Sequence, residues 1–62
     1  MSNYVITTTA GRILAAIKAD SPEEALADAK NIAHRRLSRD YENFMDVARY
    51  MTAYDDVIVK KL

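Results

Sequence analysis

The sequence predicts an α+β fold, a single compact domain over residues 1–62 in which two helices pack on one face of a three-stranded, mainly antiparallel sheet, in the order β-β-α-α-β. Three observations predict this fold. Two strand-like segments flank the only glycine, and a strong helix start follows them. The β-branched run Val57-Ile58-Val59, closed by Lys60-Lys61, predicts a third strand over residues 56–61. A chain of 62 residues leaves no room for a second domain.

The first two predicted strands form a hairpin around Gly11. The segment Tyr4–Thr9 is rich in β-branched and aromatic residues, which suit a pleated sheet. Gly11 can adopt the left-handed backbone conformation that a tight turn requires. The segment Arg12–Ala19 alternates and predicts a second strand. The residues expected to share one of its faces are Ile13, Ala15, Ile17 and Ala19.

The first helix is predicted to begin after Ser21. Ser21 is a favourable N-cap, Pro22 occupies the first helical position, where its missing N–H costs nothing, and Glu24 completes a capping box. The apolar residues that follow lie on one arc at helical spacing. They are Ala25, Leu26, Ala29, Ile32, Ala33 and Leu37.

The end of the first helix is poorly marked, because no proline or glycine follows Pro22. We predict a break at the polar cluster Ser38-Arg39-Asp40, whose serine or aspartate would cap a second helix over about Tyr41–Ala53. The alternative is a single helix that runs past residue 50. It would span roughly 45 Å, which is too long for a hairpin of two short strands to cover.

The second helix carries the predicted binding surface. Its apolar arc covers roughly 220° of the helical wheel, against the 100° or so that a surface helix requires. One part of this arc is expected to face the core: Tyr41, Phe44, Met45, Ala48 and Met51. The alternative is a helix wedged deep in the core. We predict a protein-binding surface with an arginine rim: Val47, Tyr50, Met51, Tyr54, Arg35, Arg36 and Arg39.

A second hypothesis is a small dimeric regulator that binds nucleic acid. Its phosphate contacts would come from the basic residues Lys30, Arg35, Arg36, Arg39, Lys60 and Lys61. The chain is neutral overall, however, with nine basic and nine acidic side chains, and acidic residues flank the cluster on both sides. The cluster therefore also fits a solvated helix end that complements the helix dipole.

Several functional classes lack the residues that they need. Without cysteine there is no disulfide, thiolate zinc site or cysteine nucleophile. The only histidine, His34, has no partner at helical spacing, so we expect no metal or cofactor. The adjacent pair Asp55-Asp56 would point to opposite faces of a strand, and no other catalytic set is visible, so we do not expect an enzyme.

The small size of the chain suggests that it associates with another protein chain. So small a core leaves a thin stability margin, which favours a homodimer or a partner protein. No apolar run is long enough to span a bilayer, and no secretory signal or lipidation motif is visible. We therefore expect a cytoplasmic protein.

The helix start also carries a family resemblance. The stretch Ala19-Asp20-Ser21-Pro22-Glu23-Glu24-Ala25-Leu26, with the preceding hairpin, resembles small phage-encoded inhibitors of bacterial machinery, which include RNA polymerase inhibitors and anti-CRISPR proteins. The same stretch is similar to antitoxins of the HicB type. The phage resemblance implies a non-catalytic inhibitor that sterically blocks a bacterial host complex in the host cytoplasm.

Overall fold

The computed structural model describes all 62 residues, and it confirms the α+β fold and the predicted order of its elements. Two helices lie on one face of a three-stranded antiparallel sheet, and a short 3₁₀ turn follows the second helix. The elements are β1 Ser2–Thr8, β2 Ile13–Ala19, α1 Pro22–Asp40, α2 Phe44–Met51, the 3₁₀ turn Thr52–Tyr54 and β3 Val57–Lys61. None of the helices combines the length and apolarity that crossing a bilayer demands.

The central strand of the sheet is β1, and it carries much of the core. The strand order is β2-β1-β3, with β1 antiparallel to both neighbours. Tyr4 and Ile6 are two positions apart on β1, so both side chains point toward the helices. Both are buried, Ile6 with 0% exposure. Tyr4 packs with Ala19 at the end of β2 and with Ala25 in the first turns of α1. The sheet and α1 are therefore held together at this point by apolar contact.

The predicted hairpin turn is confirmed. Gly11 has a φ of 91°, a left-handed conformation that L side chains rarely adopt. The Thr8 N–H donates to the Arg12 carbonyl over 2.8 Å, and the Gly11 N–H donates to the Thr8 carbonyl over 2.9 Å. Glycine at this position therefore closes the turn between β1 and β2 without a steric cost.

An irregularity in the β1–β2 pairing changes one predicted face. Ile6 lies opposite Ala15, whereas the next residue, Thr7, lies opposite Ile13, so one residue of β2 is extra. A single extra residue reverses the alternation of side chains beyond it. The prediction that Ile13 shares a face with Ala15, Ile17 and Ala19 was therefore wrong, and Ile13 is 68% exposed.

Helix α1 begins as predicted and lies on the sheet. The Glu24 N–H donates to Ser21 Oγ over 3.1 Å, and the Asp20 N–H donates back to the Glu24 carboxylate over 3.3 Å. Ala25 and Ala29 are buried on the face that approaches the sheet. Because both side chains are small, the helix can approach the strands closely.

The break between the helices comes later than predicted. Helix α1 runs to Asp40, so the proposed break and cap at residues 38–40 were wrong, and Ser38 lies inside the helix. The cap of α2 is Asn43, whose Oδ1 accepts a hydrogen bond from the Met45 N–H over 2.9 Å. Asparagine is among the strongest N-cap residues, which explains why the second helix begins there. The alternative of one long helix does not occur.

The side of helix α2 that packs against the rest of the protein differs from the predicted side. Val47 is buried at 4% exposure, and Met51 and Tyr54 are half-buried beside it. Phe44 and Met45, which were expected in the core, are 74% and 69% exposed. A helical wheel fixes the angles between side chains but not which sector faces inward. Here α2 packs against α1 through the sector centred on Val47.

Candidate functional site

An open apolar groove lies between the free edge of β2 and the facing side of α1. Its main part has a volume of about 550 Å³, and 11 of its 13 lining residues are hydrophobic. A smaller recess of about 350 Å³ continues it along β2 and shares Ala16, Ile17 and Ile32 with it. Together they form one groove along residues 14–18 of β2, which we call the β2 groove.

The strand order and small helical residues create the β2 groove. Because β1 is central, β2 has no strand on its outer side. Ala15 and Ile17 point toward the helices and form the floor. The small side chains of Ala29 and Ala33 on α1 leave space above that floor, and Ile32 is half-exposed along it. Apolar surface of this kind in a concave site is typical of binding sites.

Two tyrosines line one end of the β2 groove. Tyr50 comes from the end of α2 and Tyr54 from the 3₁₀ turn that tightens the chain after it. The ring of Tyr50 lies 4.9 Å from the ring of Tyr41, centre to centre, at an angle of 30°. This contact with the residue that ends α1 holds Tyr50 in place, although half of its surface remains exposed.

The contact between the tyrosines changes the pKa of Tyr41. Hydrogen bonding to the Tyr50 side chain, and charge repulsion between the two when ionised, raise the pKa of Tyr41 above its ordinary value of 10.0. Because the folded protein favours the protonated phenol, this contribution to stability is present at neutral pH and is lost as the pH rises through the folded-state pKa.

We predict that an ultraviolet titration of phenolate absorbance will show one of the four tyrosines ionising later than a free tyrosine. Tyr50→Phe removes the hydroxyl partner, so the pKa of Tyr41 should return toward its ordinary value. Tyr54→Phe is the matched control and should leave the late titration unchanged. If all four tyrosines ionised together at the ordinary pKa of a free tyrosine, the contact between Tyr41 and Tyr50 would be contradicted.

The free edge of β2 presents unpaired backbone groups to the β2 groove. The Leu62 N–H donates to the Asn3 carbonyl over 2.8 Å, so the backbone of Asn3 faces β3 and that of the next residue, Tyr4, faces β2. Tyr4 lies opposite Ile17, whose backbone groups are therefore directed at β1. By the same alternation, the residues whose N–H and C=O groups point outward are Ala16 and Lys18.

The charge around the β2 groove is strongly positive, although the whole chain is neutral. Four basic residues line it, against a single acidic one, Asp28. The basic residues are Arg12, Lys18, Arg35 and Arg36. Such a local excess of positive charge attracts acidic groups.

The structure places only part of the predicted protein-binding surface at this groove. Tyr50, Tyr54, Arg35 and Arg36 line it. Val47 is buried within the subunit, Met51 is half-buried, and Arg39 is exposed elsewhere on α1. Sequence reasoning missed the edge of β2 and Ile32. Alternation predicted that β2 is a strand, but no signal in the sequence showed that it lies at the edge of the sheet.

The predicted phosphate-binding residues do not form one surface. Lys30, Arg35, Arg36 and Arg39 are exposed along α1. Lys60 lies opposite Val5, on the face of the sheet away from the helices. Lys61 lies opposite Tyr4, which packs near the start of α1, whereas the arginines occupy its second half.

No group of three or more histidine, cysteine, aspartate or glutamate side chains is placed to hold a metal ion. His34 is exposed on α1, with its Nδ1 3.5 Å from Ser38 Oγ. In comparisons with protein-family models, curated proteins and solved structures, nothing matched this chain.

Proposed function

We propose that this chain is a non-catalytic protein-interaction module that binds a partner protein in the β2 groove and acts by steric block. The observation that carries the proposal is the groove itself, an apolar channel open to solvent beside a strand edge with unpaired backbone groups. Its lining combines aliphatic side chains with Tyr50, Tyr54 and Arg36. Tyrosine and arginine are enriched at the centres of protein interfaces.

The accessible surface of the chain supports binding to a partner. The surface is 4692 Å², against about 4,000 Å² expected for a folded monomer of 7.0 kDa. Only six of the 62 residues are buried. A small domain with so much uncovered surface gains stability when a partner covers part of it.

Charge favours a different protein over a second copy of this chain in the β2 groove. Two copies paired through their β2 edges would bring two basic rims together, and like charges that face each other are destabilising. The resemblance of the helix start to phage-encoded inhibitors suggests that the partner belongs to a bacterial complex. When this chain holds a segment of that complex in the β2 groove, the segment can no longer make its other contacts. A non-catalytic inhibitor can act in this way.

We expect groove substitutions to weaken partner capture selectively. Ile32→Ser and Tyr50→Ala each remove half-exposed apolar surface from the groove, so the fold should tolerate them. Central aromatic and aliphatic contacts often contribute enough to weaken binding by about tenfold or more. The measurement is quantitative mass spectrometry of proteins retained from a bacterial lysate, compared between the original chain and each variant.

The matched control is Phe44→Ala, which removes an even more exposed side chain that lies outside the groove. A partner retained by the original chain and by Phe44→Ala, but lost with both groove variants, supports the proposal. If Phe44→Ala and the groove variants reduce capture equally, or if none of them reduces it, the groove is not the binding site.

A further inference from the structure

We infer that the β2 groove takes an extended segment of its partner as a fourth strand beside β2, and that this segment alternates apolar side chains with carboxylates. The inference rests on the proposed function and specifies how the partner is bound. It follows from the unpaired edge, the apolar floor and the basic rim, which occur together along one strand.

The unpaired backbone groups favour a strand over a helix as the bound segment. The N–H and C=O groups of Ala16 and Lys18 point outward, so an extended segment can exchange hydrogen bonds with both residues. A helix satisfies its own backbone groups and would leave those of β2 unpaired. The stretch between Ile13 and Ile17 carries no charge that would keep a strand away.

The other free edge of the sheet is less suited to this role. The outer strand β3 ends in Lys60 and Lys61 and lines neither recess, whereas β2 has one lysine, Lys18, near its end and lines both recesses. Both recesses lie beside β2. An added strand there can insert every second side chain between the sheet and α1, which gives specificity as well as backbone pairing.

The basic rim sets the chemistry of the remaining side chains. Arg12 and Lys18 lie near the two ends of β2, and Arg35 and Arg36 lie above it on α1. Because successive side chains of a strand point to opposite faces, the carboxylates on the alternate positions point away from α1, toward the face that carries Lys18. The arginines on α1 add to the positive potential that attracts such a segment. The apolar positions in between face Ile17, Ile32 and Tyr54.

The test uses a seven-residue peptide that alternates valine with glutamate, capped at both ends and matched to the length of β2. Binding to the full chain is followed by amide hydrogen exchange in nuclear magnetic resonance spectra. We expect the amides of Ala16 and Lys18 to exchange at least about tenfold more slowly with the peptide bound.

Two peptide controls separate backbone pairing from simple apolar contact. N-methylation of alternate peptide amides removes the hydrogen bonds to β2 and should weaken binding by about tenfold or more. Replacing every glutamate with lysine should abolish binding, because the rim is basic. Among protein variants, Lys18→Glu should weaken binding of the glutamate peptide, whereas Lys60→Glu, on the same face of the opposite edge strand, should not.

The outcomes distinguish this inference from the proposed function. If the glutamate peptide perturbs Tyr50 and Tyr54 without protecting Ala16 and Lys18, strand addition is wrong, although the groove remains a binding site. Equal binding of the glutamate and lysine peptides would overturn the inference that the partner segment is acidic. A dimer in sedimentation that dissociates with Ala16→Pro, which removes an outward N–H, would make a second copy the occupant and overturn the inference.

Discussion

Replacing Ile6 with alanine is expected to remove about 2 to 5 kcal/mol of folding free energy, the usual cost of truncating a buried isoleucine. Ile6 lies at the centre of the middle strand and is the largest side chain with no exposed surface. The total stability of a chain of 62 residues is about 3 to 9 kcal/mol. The substitution should therefore remove roughly half of the total stability, and denaturant unfolding monitored by circular dichroism would measure the lower midpoint.

Ile13→Ala is the matched control, because the same side chain is truncated in a neighbouring strand of the same sheet. Ile13 is 68% exposed, so its loss should change stability by no more than about 1 kcal/mol. If the two variants were equally stable, Ile13 would not be turned away from the helices by the irregularity in the β1–β2 pairing. A loss of less than about 1 kcal/mol in Ile6→Ala would contradict the position of the core.

Local signals predicted the fold well. The cap at Ser21, the glycine turn and the β-branched segments are properties of a few neighbouring residues, and each gave the correct element. The break between the helices was displaced because Ser38 and Asp40 are compatible with a helix interior, and Asn43 competes more effectively for the cap. Local sequence is therefore a better guide to whether a helix ends than to the residue at which it ends.

The candidate site was predictable only in part, because it depends on how distant segments meet. The tyrosines and arginines were recognised by residue type, and four of them line the groove. Whether β2 is central or at the edge depends on where β3 pairs, about forty residues later in the chain, and no local pattern specifies this. The inward face of α2 likewise depends on its contact with α1.

A pair of substitutions on α2 tests that inward face directly. Val47→Asp places a carboxylate at a position with 4% exposure, and we expect it to cost about 3 kcal/mol or more, because an unpaired polar group replaces an apolar one. Burial also raises the pKa of the introduced carboxyl, so the loss should shrink as the pH falls and the group is protonated. Urea unfolding at several pH values measures both effects.

Tyr50→Asp is the matched control, since it introduces the same group one helical turn away at a position that is 50% exposed. It should cost no more than about 1 kcal/mol and show little dependence on pH, because water still solvates the carboxylate. The opposite order of stabilities would mean that α2 faces the protein through Tyr50 and exposes Val47. Tyr50 would then be removed from the β2 groove, and the proposed binding surface would have to move with it.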